Sequence, residues 1–315
     1  MKKIIIQNQL HRFEITNIAL GDINLINNSN TRQEGYRIID SYIEHGGNVL
    51  DCARLYGDGE SEVQLGKYFK QNNKRKDVFI CTKGAFQDAT RNERRVNQKD
   101  ILHDLELSLT ALDMEYVDIY MLHRDDIHTP VEEIMPVMDK IVKSGKARTV
   151  AASNWTAGRI ARANAFAVEN GLTPFSTSQI YYSLALGTPA ITGDTTHVCM
   201  NDNEMPWYKE SKLPLMTWCS NARAYFTQVL SNQLTPNTTA WFDWCDENRQ
   251  RAYRLQALSN TRKKPITSLV IAYLLNQSID VCSVVSCVTT EQLDEIMLAG
   301  EITLSPSEIS FLERG

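Results

Sequence analysis

The chain has little that would tie it to an oxidising compartment, a membrane or a nucleic acid. Its seven cysteines (52, 81, 199, 219, 245, 282 and 287) form no CxxC pair and no zinc-ligand spacing. Four of them lie in or beside apolar runs, where a thiol behaves as a small core residue. Nothing here calls for disulfides, so a reducing cytoplasmic setting is expected. No run approaches the roughly 18 apolar residues of a membrane helix. The opening MKKIIIQNQLHRFEI has an apolar stretch of three residues, too short for a signal-peptide core. A basic excess is also missing: the formal net charge is −5, which argues against a nucleic-acid partner. The clusters KRK at 74–76, RNERR at 91–95 and RKK at 262–264 then read as solvated loops and helix ends. Finally, there is no GxGxxG. The one GxG, Gly57-Asp58-Gly59, lacks its third glycine, so an open doubly wound dinucleotide fold loses its fingerprint.

What is present is an ordinary globular composition, 43% hydrophobic and 23% charged over 315 residues, arranged as an alternation. Short β-branched runs start near 15, 48, 78, 116, 149, 177, 214 and 281, and helix-period segments lie between them. Examples are KDILHDLELSLTALDM (Ile101, Leu105, Leu109, Leu112) and VEEIMPVMDKIVKSGK (Val131, Ile134, Met138, Ile141). Continuous apolar strands between amphipathic helices indicate a parallel sheet buried on both faces. Eight such units predict an α/β fold, a (β/α)8 TIM barrel, with residues 1–315 as one domain. Two stretches escape the rhythm, 185–213 and 231–250. Both are long, polar and carry aromatics (Trp207, Tyr208, Trp241, Phe242, Trp244), so both are expected to be βα loops over the barrel mouth.

Four residues sit at the ends of three successive strand-like runs: Asp51 and Tyr56 in NVLDCARLYG, Lys83 in VFICTKG, and His123 in YVDIYMLHR. In a (β/α)8 barrel these ends converge on one mouth. A phenol with a pKa near ~10 is a poor acid at neutral pH. A neighbouring ammonium favours its phenolate, and a carboxylate keeps that ammonium charged. The imidazole can orient a substrate oxygen. Singly, each residue has an ordinary structural explanation, such as a helix cap or a core hydrogen bond. Together they supply carbonyl reduction without a metal.

With this Asp, Tyr, Lys, His order the chain resembles the aldo-keto reductase family. The resemblance extends over nearly the whole chain and implies a nicotinamide cofactor. GKARTVAASNW is similar to the family's fifth strand, which implies that Ser153 and Asn154 hold the nicotinamide carboxamide. TSQIYYSL is similar to the sixth-strand motif, which places Gln179 on the same group. MTWCSNARAYF implies Trp218 stacking under the nicotinamide, with Cys219, Ser220, Asn221 and Arg223 around the pyrophosphate. VVSCVTTEQLDEIM resembles the last βα loop, where the family usually grips a 2′-phosphate with Lys or Arg. Here Ser286, Val288, Thr289 and Gln292 stand at those positions, Ile296 replaces the usual terminal Asn, and Glu295 keeps an adenine contact. A phosphate without such cations is poorly compensated, so NAD(H) is expected over NADP(H). A further departure is the absence of a glycine-rich opening hairpin, whereas Arg124 follows the histidine where many family members have Arg or Trp. Arg124 is expected to line the pocket or pair with Asp125 or Asp126.

HRDDIH (123–128) has no standard zinc spacing, so no metal is expected, and Asp125 and Asp126 are poorly placed for glycosidase acids. The expected activity is interconversion of a carbonyl and an alcohol on a small molecule. The polar, Trp-bearing stretches suggest a sugar or polyol. Two rivals stay open: a cofactor-binding regulatory subunit, and a sugar-modifying enzyme that oxidises transiently with tightly held NAD. Oligomeric state and the physiological direction of reaction are not legible.

Overall fold

A computed structural model describes residues 1–21, 32–86 and 94–314. Eight parallel strands close into a barrel: β3 (Ile18–Gly21), β4 (Val49–Asp51), β5 (Phe79–Gly84), β6 (Val117–Leu122), β7 (Ala147–Ser153), β8 (Ser178–Tyr181), β9 (Leu215–Trp218) and β10 (Val281–Val285). β10 closes the ring by pairing with both β9 and β3. The two-residue period of the strands sorts side chains between two cores. Ala19, Val49, Cys81, Ile119, Met121, Ala151, Met216 and Cys282 point into the barrel. Leu20, Leu50, Ile80, Tyr120 and Val150 point outward to the helices. Among the described residues no helix is long and apolar enough to cross a membrane.

The first expected strand is corrected. The run starting at 15 is split: β1 (Lys3–Gln7) and β2 (Arg12–Thr16) form an antiparallel hairpin, and the barrel begins only at Ile18. The hairpin needs no glycine because Asn8 makes the turn, its Oδ1 accepting from the amides of Leu10 and His11, both at 2.8 Å. Ile4, Ile6, Phe13 and Ile15 on its inner face join the barrel-interior cluster and seal it opposite the mouth.

The two long stretches are corrected as well, since each contains helix. Within 185–213, the helix Glu204–Ser211 packs on the helix Ala157–Glu169, whose first amide (Ala157) donates to Glu204 Oε2 at 2.7 Å. Tyr208 is fully buried, its hydroxyl 2.7 Å from that of Ser178 on β8. Within 231–250, a capping box of Thr235 and Thr238 starts the helix Pro236–Phe242, and Phe242 is buried. Tyr208 and Phe242 are therefore core, Trp207 and Trp241 are half-buried against it, and Trp244 is exposed. Trp241 is the one that reaches the mouth, 6.4 Å from Trp218 between ring centroids. Of the basic clusters, Lys74 pairs with Asp40, Arg75 with Asp118 and Arg262 with Glu308, while 91–93 lie outside the described residues.

Candidate active site

Hydrogen bonds continue past the strands and fix the chain that carries the candidate acid and its neighbours. The amide of Cys52 donates to Cys81 O at 2.8 Å, that of Arg54 to Lys83 O at 2.9 Å, and that of His123 to Gly84 O at 2.9 Å. Gly84 leaves room for the Tyr120 hydroxyl, from which a Cβ there would lie 2.1 Å. Lys83 is fully buried, its Nζ donating to Asp51 Oδ2 at 2.7 Å and to Cys52 O at 2.9 Å. The same Nζ lies 5.3 Å from the centre of the Tyr56 ring. Burial by itself would lower the lysine's pKa, but the charges of Asp51 and Tyr56 outweigh it and hold the ammonium above its usual range. His123 meets Tyr56 edge to face at 5.8 Å and Phe86 at 5.2 Å. Burial, then the charges of Arg124 and Lys83, keep its imidazole well below its usual pKa, hence neutral. Its Nδ1 is buried without a hydrogen-bond partner.

A cavity of about 880 Å³ opens beside this cluster. Asp51 and Tyr56 line one end, Trp218, Cys219, Asn221 and Arg223 the side after β9, and Ser286, Val288, Gln292 and Glu295 the side after β10. The structure thus brings most of the sequence-derived residues together across three separate loops. Ser153, Asn154 and Gln179 do not line this cavity. Asn154 Nδ2 donates to Ser153 Oγ at 3.0 Å, and Asn154 Oδ1 accepts the Trp218 indole N–H at 3.1 Å. Gln179 Nε2 donates to Asp51 Oδ1 at 3.2 Å, so the glutamine is tied to the lysine's partner. The Ser220 hydroxyl is turned away, donating to Val284 O at 2.8 Å and stapling β9 to β10. Thr289 caps the helix Thr290–Met297, and Gln292 Oε1 accepts the Val288 amide at 2.9 Å.

Arg124 does not pair with Asp125 or Asp126. Its guanidinium donates to Asp194 at 3.2 Å and to His197 Nε2 at 2.8 Å, clamping the segment after β8 onto the end of β6. Asp125 pairs with Arg159, and Asp126 accepts from the His128 amide and the Thr129 hydroxyl, so the HRDDIH side chains disperse. Among the described residues no cluster of three or more metal-ligating side chains occurs. Sequence reasoning missed Phe86, His197, Thr267 and Arg54. None carries a local motif; the closed barrel brings them in from distant elements.

The model of the Aldo/keto reductase family matches residues 17–314, and the chain belongs to that family of oxidoreductases. It is 26% identical over 281 residues to norsolorinic acid reductase from Aspergillus flavus, covering 87% of this chain and 69% of that protein. It is 27% identical over 309 residues to versiconal hemiacetal acetate reductase from Aspergillus parasiticus, covering 89% and 86%. A crystal structure of an aldo/keto reductase from Klebsiella pneumoniae in complex with NADP and acetate shares the barrel. Its TM-score is 0.71 at 24% identity, covering 96% of this chain and 91% of that one.

Proposed function

We propose that this protein interconverts a carbonyl and an alcohol, with Tyr56 as the general acid of the reductive direction. The observation that carries the reading is Lys83, a fully buried ammonium held by Asp51 and facing the Tyr56 ring at the cavity's end. Its charge favours the phenolate left after proton donation, and Asp51 keeps that charge in place. Neutral His123, whose ring meets that of Tyr56 edge to face, would orient the substrate oxygen. Developing negative charge on that oxygen then meets donors already in position.

The residues fit a nicotinamide dinucleotide, which supplies or accepts the hydride. The cavity is long and reaches from Tyr56 to the loop after β10, with polar side chains at both ends. Trp218 would offer a stacking face, Ser153, Asn154 and Gln179 the carboxamide contacts, and Asn221 and Arg223 the pyrophosphate contacts. We take the preferred cofactor to be NAD(H). Ser286–Glu295 contains no Lys or Arg, and of the four more distant cations worth considering only Arg223 lines the cavity. Arg249 pairs with Asp243, Arg251 pairs with Glu247, and Lys263 ends its helix in a left-handed conformation. Without a cation on the 2′-phosphate, NADP(H) should bind about 1–3 kcal/mol more weakly. Titration of both reduced cofactors decides this. Tighter NADPH binding would mean that Arg223, which lies 3.7 Å over the Trp241 ring, reaches the phosphate.

For substrate, the local walls favour a planar aromatic carbonyl or alcohol over a polyol. Phe86 flanks His123, and Trp218 and Trp241 stand together. Two of the polar residues that suggested a sugar are spent within the protein: Asn201 accepts from the Asn203 and Glu204 amides, and Asp194 from the Thr196 amide and from Arg124. The names of relatives called aryl-alcohol dehydrogenases point the same way. Steady turnover of a panel of aryl aldehydes, ketones and sugars tests this, and it also separates an enzyme from a cofactor-binding subunit. Cofactor that copurifies and is not consumed would favour transient oxidation. Tyr56→Phe should lower turnover by about 10²–10⁴ and leave cofactor affinity within a few-fold. Near-normal turnover in that variant would remove Tyr56 from the role.

A further inference from the structure

We propose that Arg54 and Glu62 form a positioning pair that fixes Tyr56 against Lys83, an inference that rests on the general-acid reading of Tyr56. The turn Tyr56–Gly59 is held in an unfavourable backbone. Gly57, Asp58 and Gly59 all have positive φ (58°, 52° and 88°), and Asp58 does so with a side chain. Gly57 and Gly59 adopt such angles freely, so the cost falls on Asp58, and a tie at that residue offsets it.

Arg54 supplies it. One guanidinium nitrogen donates to Asp58 O at 2.7 Å, inside the turn, and the other donates to Glu62 Oε2 at 3.0 Å. The guanidinium occupies the space beside Gly59, where a Cβ would fall 1.7 Å from Nη1. Gly59 is thus required both by its φ and by the arginine lying against it. Glu62 has no solvent exposure, and its second oxygen accepts the Thr82 hydroxyl at 2.6 Å. Thr82 precedes Lys83 on β5, and the Arg54 amide donates to Lys83 O. The pair therefore joins the turn that carries the phenol to the strand that carries the ammonium. A buried carboxylate is costly unless paired, which makes this tie hard to break and well defined in length. Its geometric product is the 5.3 Å separation between Lys83 Nζ and the Tyr56 ring.

Neither residue lines the cavity that holds Tyr56, so neither is expected to touch substrate or cofactor. Arg54→Ala should lower kcat about a hundredfold, the scale expected for a reacting group displaced by an ångström, with cofactor Kd changed by less than about threefold. Arg54→Lys, which keeps the charge but loses the fork, should fall between wild type and Ala. Because the arginine borders a surface groove, added guanidinium should restore part of kcat in Arg54→Ala. A role in global stability alone would give no such rescue. Tyr56→Phe combined with Arg54→Ala should lose little beyond Tyr56→Phe alone. If Arg54→Ala fails to fold, Arg54→Lys and Glu62→Gln carry the same split between kcat and cofactor Kd. Wild-type kcat in the folded Arg54 variants, or multiplicative loss in the double variant, would overturn the positioning role while Tyr56→Phe remained inactive. Full turnover in Tyr56→Phe would overturn the general-acid reading first and this one with it.

Discussion

Asp51, Lys83 and His123 are 3%, 0% and 6% exposed, stand at or just beyond strand ends and are held by side chains of the barrel itself. Across the cavity, Cys219, Ala222, Arg223 and Ala224 follow β9 on backbone with φ between 50° and 61°, none of them glycine. The first wall is rigid because its groups extend a hydrogen-bonded ladder. The second is shaped by conformations that cost about 1–2 kcal/mol per residue and must be repaid by contacts elsewhere. Asp51, Lys83 and His123 are thus fixed by the sheet, Tyr56 sits on a turn tied to it, and groups suited to holding a long ligand are set on strained loop. Substitutions in the first wall should cut turnover at fixed affinity, and substitutions in the second should do the reverse.

The sharpest way to break that contrast is Lys83→Met. It removes the ammonium facing Tyr56 and leaves Asp51 buried beside an apolar chain, so turnover should fall by at least about 10². Stability should drop by roughly 3–5 kcal/mol as an uncompensated buried charge is created. Asp51→Asn, which removes the charge but retains a hydrogen-bonding partner, should lose turnover with a smaller loss of stability. Combining either with Tyr56→Phe should add little, because the groups act as one unit. Independent, multiplicative losses would show that the wall is not a coupled device.

Trp218→Ala probes the other wall and should have a smaller effect on chemistry. The indole is anchored to Asn154 and packed edge to face on Tyr181 at 5.1 Å. Cofactor binding should quench tryptophan fluorescence in the native protein. The variant should lose most of that quench and bind about tenfold more weakly, since a stacked aromatic face contributes about 1 kcal/mol or more. At saturating cofactor its turnover should remain within a few-fold of native. A kcat loss as large as that of Lys83→Met would erase the distinction between the walls.

The two walls also differ in how far the sequence revealed them. Asp51, Lys83 and His123 each end an apolar run, so period and chemistry coincide at one residue and the barrel follows from the alternation. The hairpin turn was hidden because Asn8 does with a side chain what glycine does with backbone freedom. The helix Glu204–Ser211 was hidden because its hydrophobic face is narrow, and its key burials, Tyr208 on Ser178 and Glu204 on Ala157, are polar contacts. Arg124 has two acidic sequence neighbours and a pocket position open to it in the sequence, whereas its partners Asp194 and His197 arrive from 70 and 73 residues away. The family resemblance did carry Asn221, Arg223 and Gln292 to one cavity. Positive φ at residues 222–224 had no signal in alanine and arginine.

The remaining expected effect is on stability rather than turnover and concerns the clamp between the walls, His197. Burial, then Arg124, pulls its pKa down to about 4, against the opposing pull of Asp194. Nδ1 lies 2.7 Å from the Thr192 hydroxyl and Nε2 accepts from Arg124, an arrangement that suits a neutral ring. The unfolded chain takes up a proton on this histidine near pH ~6.5, and the folded chain does so only near 4. Its stabilising effect is therefore present above ~6.5 and is lost as pH falls towards 4, by on the order of 3 kcal/mol. His123, also held low, acts in the same direction. Asp125 acts oppositely: burial raises it to about 6 despite Arg159, so the folded state gains relative stability as it protonates on acidification. His197→Gln keeps an acceptor for Arg124 and removes the titration. Its urea-unfolding free energy should fall less steeply than that of the native chain between pH 7 and 4, and Asp125→Asn should fall more steeply. An unchanged slope in His197→Gln would mean that the folded histidine takes up its proton at the same pH as in the unfolded chain, with Asp194 offsetting burial and Arg124. Below that pH the clamp would then be an ion-pair network sensitive to salt, and Arg124 would face a cation where a neutral acceptor now stands.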